Sequence, residues 1–338
     1  MSISIKNTLK FIDSPKEFLA EFGVHNTFLF IDENVHAHFK EEWDGFTYEI
    51  IPAGEDQKRF EIVEKLLAVL LEKGIDRKGT VIGIGGGVVT DLTGFVASIY
   101  LRGINFGFLP TTLLAMCDAS IGGKNGINFG SYKNMVGNFN QPSFIAFYTP
   151  FLNTLPEREF NSGMAEVIKH AIINSGALQM FLEQNSRSEI TKNPEKLQEL
   201  CELAASVKVA VVEQDEYEAG LRKKLNLGHT IGHAIEATSD FTHGECVAIG
   251  MVLAAKIAVL RGSAEYDLVE QVIAHCNAYD LHTNTELNPA LLLEKIAKDK
   301  KRRNTEIDFI LPHSFGNVHI APLSILELEK HLTTLANE

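Results

Sequence analysis

Three short stretches concentrate side chains able to hold a cation or move a proton. Ser162-Gly-Met-Ala-Glu166-Val-Ile-Lys169-His170 places Glu166, Lys169 and His170 three and four residues apart, on one face of a helix. Asn226-Leu-Gly-His229-Thr-Ile-Gly-His233 sets two imidazoles four apart, and His243-Gly-Glu245 follows ten residues after His233. Neutral imidazole and carboxylate are the donors of catalytic zinc, which takes three protein ligands and keeps a fourth position open. Glu166, His229, His233 and His243 are thus four candidates for three places. Spacing alone favours His229 and His233 and does not rank His243 against either. Such a pair also occurs as hydrogen-bonded core. The glycines beside both histidines weigh against that reading, because Gly costs about 1 kcal/mol inside a helix and implies a close approach to the backbone.

A second chemistry lies upstream. Thr80-Val-Ile-Gly-Ile-Gly-Gly-Gly-Val-Val-Thr-Asp91 reads as a strand, then Gly85, Gly86 and Gly87, then an apolar helix that begins near Val88. Backbone without Cβ atoms can approach a diphosphate closely, and a helix start offers free N–H groups and the positive end of the dipole. The spacing is not GxGxxG, and Asp91 falls inside the following helix rather than about 20 residues further on. A tight turn with no ligand is the alternative. Pro52-Ala-Gly-Glu-Asp-Gln-Lys58 adds a turn and opposite charges ahead of a helix at Glu61, which alone reads as a solvated helix start.

The elements that must carry these groups change character along the chain. Thr27 to Ile31 and Thr80 to Ile84 are short apolar runs, and Glu61 to Lys73 between them has helical periodicity. That alternation predicts a parallel sheet covered by helices over residues 1–150. Beyond Pro150 long helical patterns dominate: Glu195 to Val212, Ile231 to Thr238, Cys246 to Leu260 and Leu291 to Lys300. Residues 151–338 are therefore expected to form a mainly α-helical domain, with the boundary near Phe144 to Leu152.

A chain of 338 residues with 45% hydrophobic composition exceeds the size at which one core usually keeps growing, so two domains are the default. The net charge of -13 is scattered, which disfavours a nucleic-acid or anionic-membrane surface and requires any anion to be captured by a local cluster of cations. Cys117, Cys201, Cys246 and Cys276 form no CxxC pair and fit reduced thiols. The start, MSISIKNTLKFIDSPKEF, lacks the apolar core of a signal peptide, and the longest apolar stretches, such as Ala248 to Leu260, look too short and interrupted to span a bilayer. A cytoplasmic protein is expected.

Taken together, the motifs resemble those of the 3-dehydroquinate synthase family of sugar phosphate cyclases from about Asp32 to about Arg303. The matching stretches are Pro52 to Lys58, Gly85 to Asp91, Arg102-Gly, Pro110-Thr-Thr-Leu-Leu-Ala, Asp118-Ala-Ser-Ile-Gly-Gly-Lys124, Lys133-Asn134, Thr154-Leu-Pro, Ala165 to Lys169, Asn226 to His233 and His243-Gly-Glu. The resemblance implies a Rossmann-like nucleotide site in the first domain and a metal- and substrate-binding second domain. It makes Glu166, His229 and His243 the metal ligands, for zinc or cobalt, and moves His233 to the substrate-phosphate side. It implies NAD contacts from Asp32, Glu55, Lys58, Gly86, Gly87, Asp91, Thr111 and Thr112, joined by Lys124 and Lys133. It also implies a pocket for a phosphorylated keto acid made by Asp118, Lys124, Lys133, Asn134, Lys169, Lys208, Glu218, Arg222, Asn226 and Lys300, with Arg102 reaching in from a homodimer partner. Without the resemblance, the basic run Lys298 to Arg303 reads as a solvated helix end. His170 stands where the family often has Tyr, Tyr148 where it often has Asp, and Asn138 where a small apolar residue is usual.

The implied reaction converts 3-deoxy-D-arabino-heptulosonate 7-phosphate to 3-dehydroquinate and phosphate, a step of aromatic amino acid biosynthesis. Hydride leaves a carbinol for NAD, phosphate is eliminated, hydride returns, and an aldol closes the ring. Cyclases making 2-deoxy-scyllo-inosose or 2-epi-5-epi-valiolone are the near rivals, but their substrates lack the carboxylate that Arg222 and Asn226 suit. A glycerol-type polyol dehydrogenase would have less need of Lys124, Lys133, Lys169, Lys208 and Arg222 together. A non-catalytic binding protein would turn over no polyol phosphate.

Overall fold

The computed structural model describes residues 8–130, 132–299 and 306–337. Lys300 and the basic run from that residue onward lie outside the described residues, as do residues 1–7 of the amino-terminal segment. The chain divides into two compact units between Pro156 and Glu157. That is later than the 150 expected, because the 3-10 turn Thr149–Thr154 inserts Phe151 against Phe39, Trp43 and Tyr148, with ring centroids 4.9, 6.3 and 5.0 Å away.

The first unit is built on strands β1 (Leu9–Phe11), β2 (Thr27–Asp32), β3 (Thr47–Ile51), β4 (Thr80–Gly85), β5 (Asn105–Pro110), β6 (Lys124–Phe129), β7 (Tyr132–Phe139) and β8 (Ile145–Phe147). Six of them form one parallel sheet in the order β1-β8-β5-β4-β2-β3, while β6 and β7 pair separately as an antiparallel hairpin. Parallel strands covered on both faces read as unbroken apolar runs. Phe28, Leu29, Phe30 and Ile31 of β2 are accordingly fully buried, each contributing roughly 1.5–3 kcal/mol over an exposed position. The helices of this unit are α1 (Pro15–Ala20), α2 (Glu33–His38), α3 (Phe60–Glu72) and α4 (Gly87–Ile99). The chain places β3 on one side of β2 and β4 on the other, so the direction of winding reverses between β2 and β4. In an open parallel sheet, ligands settle at the carboxyl ends of the strands at that reversal. Here those ends are Asp32 and Gly85.

The second unit holds α5 (Glu157–Ile173), α6 (Ala177–Gln184), α7 (Arg187–Lys192), α8 (Pro194–Gln214), α9 (His229–Glu236), α10 (His243–Leu260), α11 (Tyr266–Asn277), α12 (Pro289–Asp299) and α13 (Ile325–Ala336). It is not purely helical: β9 (Glu306–Ser314) and β10 (Asn317–Ser324) form an antiparallel hairpin that the sequence reading did not anticipate. The apolar stretch judged too short for a membrane proves longer as a helix. α10 runs 18 residues at a mean hydropathy of 1.6, enough by length and composition to cross a bilayer. Its apolarity instead goes into packing, since 78% of it is buried inside the protein.

Candidate metal centre and nucleotide cradle

The backbone of the second unit brings three helices unusually close. A Cβ on Gly244 of α10 would lie 2.1 Å from the Ser162 carbonyl oxygen of α5, and one on Gly250 would lie 2.0 Å from the carbonyl of Gly228, which caps α9. The glycines near the histidines therefore admit neighbouring main chain. Two polar contacts fix the register: the Gly244 N–H donates to Ser162 Oγ at 3.0 Å, and the Arg158 fork meets both oxygens of Glu245 at 3.1 and 2.8 Å. Glu245 also closes a capping box with Thr242 that starts α10 at His243. One turn beyond Ser162 on α5 stands Glu166.

Glu166 is wholly buried, and the Nε2 atoms of His229 and His243 lie 3.4 and 3.3 Å from its Oε1. Spacing alone favoured His233 as the partner of His229. The fold gives that place to His243, which begins α10, while His233 sits one turn along α9 and is exposed. Burial opposes the charge on Glu166, but the Lys169 ammonium in contact with it and the His229 imidazole outweigh burial and hold its carboxyl well below the usual range. Burial likewise opposes charge on His243, yet the carboxylates of Glu166 and Glu236 push it up to about 9.

The donor set fits a cation. His229 Nδ1 is 3.1 Å from the Leu227 carbonyl oxygen, which can only accept, so the ring hydrogen sits on Nδ1 and Nε2 of the neutral ring presents a lone pair. His243 Nδ1 faces Glu236 Oε2 at 3.4 Å, with the same consequence. With both rings neutral, two imidazole lone pairs converge on a carboxylate oxygen that accepts no hydrogen bond of ordinary geometry among the described residues, and the raised pKa of His243 fits a proton standing where a cation would. Lone pairs so disposed repel unless a proton or a metal ion lies among them. A carbonyl and a carboxylate behind the rings are the usual outer partners of ligating histidines. Sequence reading missed Glu236, Arg158 and Ser162. The i, i+7 spacing of His229 and Glu236 on one helix was the available signal.

Other candidates gather nearby in the same unit. His170 is fully buried on α5, and its Nδ1 lies 3.1 Å from the Ala204 carbonyl. Lys208 is buried on α8. Glu218 takes a left-handed backbone, φ 60°, and accepts from Asn226 Nδ2 at 2.6 Å. Arg222 is buried in the 3-10 turn Leu221–Asn226, its guanidinium held by the Glu216 carbonyl and its N–H by Asp215 at 2.9 Å. Asp215 also accepts from the N–H groups of Ala219 and Gly220, so one carboxylate shapes the loop that presents Arg222 and Asn226. These backbone donors hold its pKa below the usual carboxylate value. Sequence reading did not single it out.

In the first unit, α4 begins at Gly86-Gly87 with no side chain capping its first N–H groups. A Cβ on Gly86 would lie 3.0 Å from Thr112 Cγ2, so the backbone rests against the end of β5, where the buried Thr111 donates its N–H to the Gly85 carbonyl at 3.0 Å. Asp32 closes β2 and caps α2 through the N–H groups of Asn34 and Val35. Burial raises its pKa against those hydrogen bonds. Lys58 is buried, its Nζ 2.7 Å from Asp91 and 2.5 Å from Asn134 Oδ1, with Glu55 at 3.6 Å. Burial opposes its charge, but Asp91 and Glu55 outweigh that and raise its pKa. Asn128, which sequence reading missed, ties the group together. It donates to Glu55 at 2.9 Å and accepts from the Asn134 N–H at 2.9 Å, while its own N–H binds the Lys58 carbonyl at 2.7 Å. Uncapped amides, a Cβ-free floor and acids at the strand ends fit a dinucleotide.

The remaining candidates are dispersed in this unit. Asp118 lies on a π-helical turn, Ala115–Ala119, of a kind frequent at functional sites. Lys124 starts β6 and Lys133 lies in β7, both exposed. Arg102 is exposed beside Leu101, both in left-handed backbone at φ 69° and 48°.

The family models described as 3-dehydroquinate synthase N-terminal and C-terminal match residues 48–162 and 163–302. The chain belongs to the 3-dehydroquinate synthase family. A 3-dehydroquinate synthase of Thermoanaerobacter sp. (strain X514) is 39% identical over 96% of this chain and 91% of its own length. Among solved structures, the family fold is shared with ValA, a 2-epi-5-epi-valiolone synthase of Streptomyces hygroscopicus subsp. jinggangensis 5008 with NAD+ and Zn2+ bound. The TM-score is 0.87 at 26% identity, covering 97% of this chain and 96% of that one. A 2-deoxy-scyllo-inosose synthase complexed with carbaglucose-6-phosphate, NAD+ and Co2+ gives 0.85 at 25% identity, covering 96% and 95%.

Proposed function

We propose that this chain is a 3-dehydroquinate synthase that uses NAD and a divalent metal, zinc or cobalt, to convert 3-deoxy-D-arabino-heptulosonate 7-phosphate to 3-dehydroquinate and phosphate. The observation that carries the metal-dependent part is the convergence of the His229 and His243 Nε2 atoms on buried Glu166. Glu166, His229 and His243 are the ligands in this reading. When bound, the cation supplies Lewis acidity to a hydroxyl and ketone, and NAD supplies a hydride acceptor that is regenerated within each turnover.

The chain's own groups do the rest. Gly86, Gly87, Thr111 and Thr112 floor the NAD site, and Asp32, Glu55, Lys58 and Asp91 orient it, with Lys124 and Lys133 beside it. Arg222, pre-set by Asp215 and the Glu216 carbonyl, offers a planar fork to the substrate carboxylate, with Asn226 held in place by Glu218. Lys124, Lys133, Asn134, Lys169 and Lys208, with Lys300, supply the cations and donors that an otherwise acidic protein needs to hold a phosphorylated keto acid. His233 stands on the substrate-phosphate side and moves the proton, with Asp118 as a further polar contact. The carboxylate-binding loop favours this substrate over those of the neighbouring cyclases.

The reading extends to a cytoplasmic homodimer in which Arg102 serves the partner's site. Four buried cysteine thiols suit a reducing compartment, and the left-handed turn at Leu101 and exposed Arg102 suits a side chain held outward. Phosphate release from the heptulosonate phosphate with catalytic NAD, with and without a chelator, tests the activity. Release that depends on metal and leaves no net NADH is expected. No release from metal-replete protein, or NADH formed in step with phosphate, overturns it. Light scattering tests the dimer.

A further inference from the structure

His243 is flanked by carboxylates on both ring nitrogens. Its Nε2 is 3.3 Å from Glu166, and its Nδ1 is 3.4 Å from Glu236. On the Glu236 side, α9 also presents His233, one turn after His229. One ligand atom each of His233, Glu236 and His243 lie within 4.8 Å of one another, as do those of Glu166, His229 and His243. The His233 and His243 ring centroids are 6.0 Å apart. Two three-donor sets therefore share one imidazole, and they differ in access. Glu166 has no exposed surface and His229 only 13% of its side chain, whereas His233 is exposed. A hydrated cation arriving from solution meets the outer set before it can shed its water and reach the inner one.

We propose that His233, Glu236 and His243 form an outer, transient divalent-cation site that captures the ion and hands it to Glu166 and His229. The inference rests on the reading that Glu166, His229 and His243 hold the resident ion. Imidazole and carboxylate oxygen suit zinc or cobalt at either position. The transfer balances within His243. With the ion outside, Nδ1 gives its lone pair to the ion and Nε2–H donates to Glu166. As the ion moves in, the Nδ1 bond breaks and the Nε2 bond forms, while water takes the hydrogen from Nε2 and returns one to Nδ1, which then donates to Glu236. A neutral ring has one lone pair in the plane, so the two sets fill alternately and the chain ends with one ion.

Stopped-flow mixing of metal-stripped, full-length protein with Co2+, followed by visible absorption and by metal analysis of the final state, tests this. Wild-type uptake should saturate with Co2+ concentration, as capture before transfer requires. Glu236→Gln and His233→Gln should each slow uptake by about tenfold, the scale of losing an outer partner of a metal site, and still reach one ion per chain. Glu236→Asp should recover most of the rate. Wild-type uptake rates in both Gln variants would overturn the proposal. So would an unchanged association rate with faster dissociation, which would make Glu236 a prop for His243 only. If instead Glu166→Gln loads one Co2+ like the wild type, the inner site itself is wrong.

Discussion

The two charged clusters solve opposite problems. Around Lys58 the charged groups are each partnered: the ammonium has Asp91, Glu55 and Asn134, Glu55 also has Asn128, and Asn128 holds Asn134. Around Glu166 the groups are aimed at a common point and electron-rich, with two imidazole nitrogens turned toward one carboxylate. The first cluster is complete by itself and orders a surface for a ligand to lie on. The second has the Lys169 ammonium against Glu166 and still leaves two imidazole nitrogens aimed at a point that a cation would fill.

Removing a donor from the unbalanced cluster should have the largest effect. His243→Ala and Glu166→Gln should each lose the bound ion, by metal analysis, and several kcal/mol of transition-state stabilisation, roughly 10³-fold in rate. His233→Ala should keep the ion and lose rate. Equal metal loss in all three would erase the distinction between ligand and substrate residue.

The balanced cluster should respond in stability instead. Asp91→Asn leaves buried Lys58 short of its main counter-charge and should cost about 2 kcal/mol in urea unfolding, less than a fully enclosed pair because Asp91 is partly exposed. Adding Lys58→Met should recover much of that loss. If the double variant is no more stable than the single, the pair is not what holds the network. A smaller effect is expected from Asn128→Ala, which removes hydrogen bonds but no charge. NAD binding by titration should weaken roughly fivefold, about 1 kcal/mol, with phosphate release unchanged at saturating NAD.

The smallest effect concerns the clamp between α5 and α10. Burial raises the Glu245 carboxyl, but hydrogen bonds from Arg158 and the Thr242 N–H outweigh it and depress its pKa. A depressed carboxylate contributes stability above its unfolded pKa near 4.3 and loses it as pH falls through the lower folded value. Glu245→Gln should therefore cost about 1 kcal/mol at neutral pH, the scale of a lost cap, and nothing in strong acid. An undiminished deficit at low pH would show that the charge is not what matters.

The alternation of strand and helix, the glycine turn and the long helices of the second unit were legible because each is a local pattern. Thr80 to Ile84 is a buried strand, and Glu195 to Val212 lies within α8. The β9–β10 hairpin was not, since it follows a basic run and its pairing is set by contact with the helices around it. In the metal cluster the donor types were legible and the choice among histidines was not. Spacing along one helix ranks His233 with His229, whereas His243 reaches Glu166 only because Gly244 lets α10 meet α5 at main-chain distance. Asn128 and Asp215 escaped notice because their partners, Glu55 and Arg222 among them, are assembled by turns rather than by periodicity.

The three proposed ligands lie on three helices, and the chain between Glu166 and His243 passes through α6, α7 and α8 before returning. An ion joining them closes a long loop and acts as a removable cross-link on the unfolded ensemble, much as a disulfide does, but with a strength set by the concentration of free metal. Chelation should then lower the melting temperature of the second unit more than that of the first, so that metal supply sets the protein's lifetime as well as its rate.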